Sequence, residues 1–98
     1  MTVVRGTLAT SMENADRVTR RVAAQQGMSY YAPASRPGLL VFRTGAAGSG
    51  PTLTVSLVER DPSTIDATIT TGRFALTGWG RGKTTANRLL RALIAQTR

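Results

Sequence analysis

From Thr52 to Arg60, and again from Thr64 to Thr70, the chain alternates residue by residue, and this alternation limits the possible folds more than any other feature. Leu53, Val55 and Leu57 fall on one side of an extended chain, with Thr52, Thr54 and Ser56 on the other. After an Asp61-Pro62-Ser63 turn, Ile65, Ala67 and Ile69 repeat the pattern against Thr64, Asp66, Thr68 and Thr70. A period of two sends successive side chains to opposite faces of a strand. The two segments therefore predict strands with one buried and one hydroxyl-rich face, as in an antiparallel sheet covered on one side only. Gly72 predicts the next turn, and Phe74 and Leu76 carry the apolar face on to Thr77.

The remaining elements follow from shorter signals. Thr2 to Thr10 is rich in β-branched residues and reads as a strand with Gly6 in its middle, a position suited to a kink or a close approach. Ser11 offers a helix cap, and Glu13 and Asp16 stand near the positive helix end. From Met12 to Gln26 the period becomes helical, with Met12, Ala15, Val18, Thr19, Val22, Ala23 and Gln26 on one side and Arg17, Arg20 and Arg21 on the other. Gly27 is a good stop. Met28 to Pro33 and Leu39 to Thr44 read as strands flanking a Ser35-Arg36-Pro37-Gly38 hairpin loop, and Gly45 to Pro51 as a mobile loop. From Thr85 to Thr97, Ala86, Leu89, Leu90, Leu93 and Ile94 cover an arc of about 140°, with Arg88, Arg91, Ala95 and Arg98 opposite. Thr84 or Thr85 is placed to cap this second helix.

The expected fold is α+β: one antiparallel sheet with two helices packed on one face, in the order β-α-β-β-β-β-α, over a single domain of residues 1–98. This element order is similar to one repeat of the TATA-box-binding-protein fold and, more loosely, to the helix-grip fold of small lipid-binding proteins. The likeness is one of topology over the whole chain. In the TATA-binding fold the sheet face opposite the helices contacts DNA through Phe wedges. Here that face carries Thr52, Thr54, Ser56, Thr64, Thr68 and Thr70 instead.

Composition excludes several chemistries. The 98 residues contain no His and no Cys, which removes the ligands of zinc, iron–sulfur and haem–His sites, His-based triads and thiol nucleophiles. Catalysis is not expected: Glu13 and Asp16 fit a helix surface, Asp61 fits its turn, and Glu59 and Asp66 form no evident pair. No metal and no cofactor is expected. The longest purely apolar run, Leu39 to Phe42, is far below the ~20 residues of a membrane-spanning helix. Arg5 is followed by no apolar secretory stretch, so a cytoplasmic location is expected.

Thirteen Lys+Arg against five Asp+Glu give +8, and Lys83 is the only Lys. Arginine suits bidentate contact with phosphate or carboxylate, although a GC-rich genome would supply the same Arg, Ala, Gly and Thr. The sharpest local pattern is Gly78-Trp79-Gly80-Arg81-Gly82-Lys83-Thr84-Thr85. It looks like a phosphate-binding P-loop, but the spacing fails: the first Gly would have to occupy position 77, which is Thr. A weaker expectation survives, an anion or partner site built from Arg81, Lys83, Thr84 and Thr85 at a helix N-terminus with Trp79 beside it. Trp79 suits either a stacking platform or a plug anchoring the last helix. Tyr30 and Tyr31 are expected on opposite faces of a strand, one in the core and one exposed. Arg17, Arg20 and Arg21 form a ridge in which Glu13–Arg17 and Asp16–Arg20 are expected i,i+4 pairs.

Two functional readings result. One is a non-enzymatic basic binding domain for an acidic or phosphate-bearing partner, nucleic acid included. The other is a structural or ligand-carrying module with an apolar pocket between sheet and helices, or a homodimer formed through the sheet edge.

Overall fold

A computed structural model describes residues 2–45, 50–72 and 81–98, with the side chains at 81 and 82 left out. Five strands form one antiparallel sheet: β1 (Thr2–Leu8), β2 (Ser29–Tyr30), β3 (Leu39–Arg43), β4 (Thr52–Asp61) and β5 (Thr64–Thr71), in the spatial order β1-β5-β4-β3-β2. Two helices, α1 (Met12–Gln25) and α2 (Arg81–Gln96), cover one face. This is the α+β architecture and element order that the hydrophobic patterns imply. Among the described residues no helix is long and apolar enough to cross a membrane.

The period-two segments set the register. Val55 lies between Ile69 and Leu40, and Leu57 pairs with Ala67, so apolar rows run across the sheet under the helices. Leu8, Leu53, Val55, Ile65 and Ile69 on this face expose nothing, and neither do Ala86, Leu89 and Leu93 of α2. The opposite face carries Thr54, Ser56, Thr68 and Thr70, all half-buried.

Local chemistry explains where α1 begins and ends. The Ser11 hydroxyl accepts the Asn14 backbone N–H at 3.2 Å, and the Thr10 hydroxyl accepts the Asn14 side-chain amide at 2.8 Å. At the other end Gly27 takes φ +82°, which only glycine adopts without strain. The Gly27 N–H then reaches the Ala24 carbonyl and the Met28 N–H reaches that of Ala23, the double closure of a Schellman stop. Thr19 is fully buried within α1 because its hydroxyl donates to the Ala15 carbonyl at 2.7 Å.

Several expectations need correction. The strand expected over Met28–Pro33 shrinks to Ser29–Tyr30, because Pro33 lies in a 3-10 turn at Ala32–Ala34. The two tyrosines do point to opposite faces, but neither enters the core. Tyr30 is 38% exposed beneath the Arg20 guanidinium, 4.2 Å from its ring centre, and Tyr31 is half-buried beneath Arg43 at 4.3 Å. Arg17 bonds the Asn14 side-chain oxygen at 2.6 Å, whereas the expected Asp16–Arg20 pair forms at 2.8 Å. The second helix starts at Arg81, so Thr84 and Thr85 are helical residues and not caps. Trp79 and the strand expected through Phe74 to Thr77 lie outside the described residues, as does most of the loop expected after Gly45.

The helices divide the sheet between them. α1 lies over β2 and β4, and α2 lies over β1 and β5, in contact with α1 along one side. The close approach of α2 depends on Gly6. A β-carbon at that position would stand 2.9 Å from a terminal carbon of Leu90. Gly6→Ala is expected to cost little, because that side-chain end can move. Gly6→Val is expected to destabilise by about 1–3 kcal/mol through overpacking. Urea titration of the two variants checks the order; equal stabilities would place α2 farther from β1.

The β4–β5 turn holds a titration signature. The Ser63 backbone N–H donates to the Asp61 carboxylate at 2.9 Å, and the Ser63 hydroxyl donates to the same oxygen at 3.1 Å. The backbone bond, followed by one from the Thr64 side chain, holds the Asp61 pKa below its ordinary 3.8. A depressed folded pKa adds stability above the unfolded value, and that stability is lost as pH falls through the folded one. Carboxyl-carbon NMR is therefore expected to show Asp61 titrating below 3.8. The stability gap between the parent and Asp61→Asn should close over the same acid range.

Candidate functional site

Residues 81–98 contain Arg81, Lys83, Arg88, Arg91 and Arg98 and no acidic residue, so +5 of the net +8 belongs to this stretch. By contrast, the three arginines of α1 share their helix with Glu13 and Asp16, and Arg20 is paired with Asp16. Helical periodicity sorts the charges of α2 to one side. Ala86, Leu89, Leu90 and Leu93 are buried against the sheet, while Lys83, Thr84, Arg88, Arg91 and Arg98 are exposed.

Thr84, Asn87, Arg88 and Arg91 together line a depression of about 370 Å³. These residues lie at i, i+3, i+4 and i+7, the spacing that places helical residues on one face. Among the described residues the Arg88 and Arg91 side chains make no ion pair or hydrogen bond; only the Arg88 backbone carbonyl is engaged, by the Gln26 amide at 3.4 Å. Two exposed guanidinium forks one helical turn apart, beside a hydroxyl and an amide, can grip an anion bidentately.

The other notable depression lies on the uncovered sheet face, about 550 Å³ in volume and lined by Arg5, Thr7, Val58, Arg60, Asp66 and Thr68 among others. Its charge is partly spent internally. Arg60 holds Asp66 with a two-point fork, Nη2 to Oδ1 at 2.6 Å and Nε to Oδ2 at 3.2 Å. Among the described residues the face of α2 has no such internal neutralisation.

The residues expected to bind fare unequally. Lys83 and Thr84 are exposed and Thr85 is half-buried in the first turns of α2. Arg81 begins the helix, its side chain outside the described residues, as is Trp79 altogether. Asn87, Arg88 and Arg91 extend the surface one to two turns beyond that set. Their signal was the run of cations without acids after position 80, which the glycine-rich turn overshadowed. No family model matches the chain, and no curated protein matches it.

Proposed function

We propose that the protein is a non-enzymatic binding module that holds an anionic partner, phosphate- or carboxylate-bearing, against the exposed face of α2. The observation that carries this reading is the pair Arg88 and Arg91, exposed and uncommitted, sharing one depression with Thr84 and Asn87 on a stretch without acids. Lys83 and Arg98 extend the positive face at either end. The interior favours a surface partner over an enclosed apolar ligand, since Leu8, Leu53, Ile65, Ile69, Leu89 and Leu93 leave no surface to a water-sized sphere.

Titration of isotope-labelled protein with a fifteen-residue oligo-dT and with poly-glutamate tests the reading. Amide shifts centred on residues 83–91 are expected with at least one of them. Binding through four cations predicts affinity falling roughly fifty-fold from 50 to 200 mM salt, at ~0.7 counterions per contact. Absence of shifts at 83–91 with both polyanions would overturn the proposal.

A further inference from the structure

The sheet treats its two edges differently. The β2 edge is only two residues long, and past it the chain itself covers β3. After two residues of strand, the Tyr31 N–H takes the Val41 carbonyl at 2.8 Å. The Ser35 hydroxyl accepts the Val41 N–H at 3.0 Å and donates to the Tyr31 carbonyl at 2.8 Å. The Ala32–Ala34 turn, with Pro33 inside it, follows the strand directly. Such devices protect an edge from further pairing.

The β1 edge has none of them. Its seven residues pair with β5 without a break, from Thr2 opposite Thr71 to Leu8 opposite Ile65, and among the described residues nothing pairs with the other side. It contains no Lys, no Pro and no bulge, and Val3 is 42% exposed. Among the described residues every second N–H and C=O along it therefore points outward without a partner, a template for one more strand.

The surroundings of that edge are basic above and below. Gln96 of α2 takes the Arg21 guanidinium at 2.8 Å, so the Gln96 side of the helix faces α1. Lys83, Asn87, Arg91 and Ile94 lie about 140–180° round the helix from Gln96, at 100° per residue. Because Leu90 sits on Gly6 of β1, this flank overhangs the open edge. On the uncovered face Arg5 stands at the middle of β1, and the nearest acid across the sheet, Asp66, is already held by Arg60.

We infer that the open edge of β1 takes up an extended acidic polypeptide segment as a sixth strand, a proposal that rests on the reading of α2 as an anion-binding surface. Side chains of an added strand alternate between the two faces. Acids at every second position share one face, and on the helix side they meet Lys83 and Arg91; acids at the intervening positions would meet Arg5. A nucleic acid has no amide ladder to satisfy the edge, whereas a polypeptide does. A second copy of this chain would bring +8 against +8.

The probe is the blocked peptide Glu-Thr-Glu-Val-Glu-Thr-Glu, with a control in which the central Val and the following Glu become Pro-Pro and one terminal Glu is added to restore the charge. Adjacent prolines remove amide donors from both edges of the peptide. Hydrogen exchange followed by NMR is expected to show alternate amides within residues 2–8 slowed at least tenfold by the first peptide. The proline control should bind at least tenfold more weakly. Equal binding of the two peptides, with shifts at 83–91 and no protection in β1, would overturn the edge site while leaving the anion-binding face intact. Binding of oligo-dT alone would do the same. Silence with all three probes would remove both readings. Protection of β1 that rises with protein concentration, without peptide, would show a second copy at the edge and also overturn the proposal.

Discussion

Phe42→Ala is expected to remove about 3–5 kcal/mol of stability, the usual range for deleting a buried aromatic ring. Phe42 is 1% exposed on β3, opposite Leu53 of β4 and Tyr30 of β2. Its ring meets Tyr30 edge to face, centroids 5.8 Å apart. Tyr30 in turn carries the Arg20 guanidinium, and Arg20 is paired with Asp16. Loss of the ring therefore leaves a cavity and also unseats the contact through which α1 meets β2. A domain of this size has a total stability on the order of 5–15 kcal/mol. With a urea slope of ~1.5 kcal/mol per molar, the midpoint should fall by roughly 2–3 M at unchanged slope. Phe42→Leu should lose about half as much, because most of the volume stays filled. A midpoint unmoved by Phe42→Ala would mean that β3 contributes little to the core.

Reversing Arg88 and Arg91 together to Glu is expected to weaken polyanion binding at least a hundredfold at 100 mM salt. Residues 81–98 then carry three cations and two acids in place of five cations and none. Each charge-assisted hydrogen bond is worth about 1.5–3 kcal/mol, so losing two accounts for the hundredfold before repulsion is added. Both positions are exposed, and stability should change by less than about 0.5 kcal/mol. Unchanged circular dichroism and urea midpoints would confirm that the loss is one of recognition. Arg88→Lys with Arg91→Lys separates charge from geometry. Affinity falling severalfold in this variant, with the salt dependence retained, is the mark of guanidinium forks at work. Full binding by the reversed variant would exclude the α2 face as the site.

The architecture was legible because it rests on periodicity. The alternation at Thr52–Thr70 gives β4, β5 and the face they bury, and the Ser11 cap and Gly27 stop bracket α1 within one residue. Elements decided by competition between neighbours were less legible. Arg17 had two acceptors within reach of one helical turn and took Asn14 rather than Glu13. Tyr30 and Tyr31 have strand-forming side chains, yet Pro33 and the Ser35 hydroxyl end the strand after Tyr30. The start of α2 was obscured by Gly82 and the cap-like Thr84-Thr85, since helical propensity is a weak guide to boundaries.

The candidate surface was legible in charge but not in place. Arg88 and Arg91 read as the outer side of an amphipathic helix, and they are. That their helix lies over β1, beside an edge with no partner among the described residues, depends on strand order. No local pattern in the residues encodes that order.

The shortness of β2, with Tyr31 and Ser35 covering β3 beyond it, gives strand addition a direction. A sheet with two open edges can keep recruiting strands in both directions and grow into a fibre. With one side blocked, strands can be added only on the β1 side. The protein would then cap one end of any run of strands built on β1 and could not bridge two such runs through a single sheet.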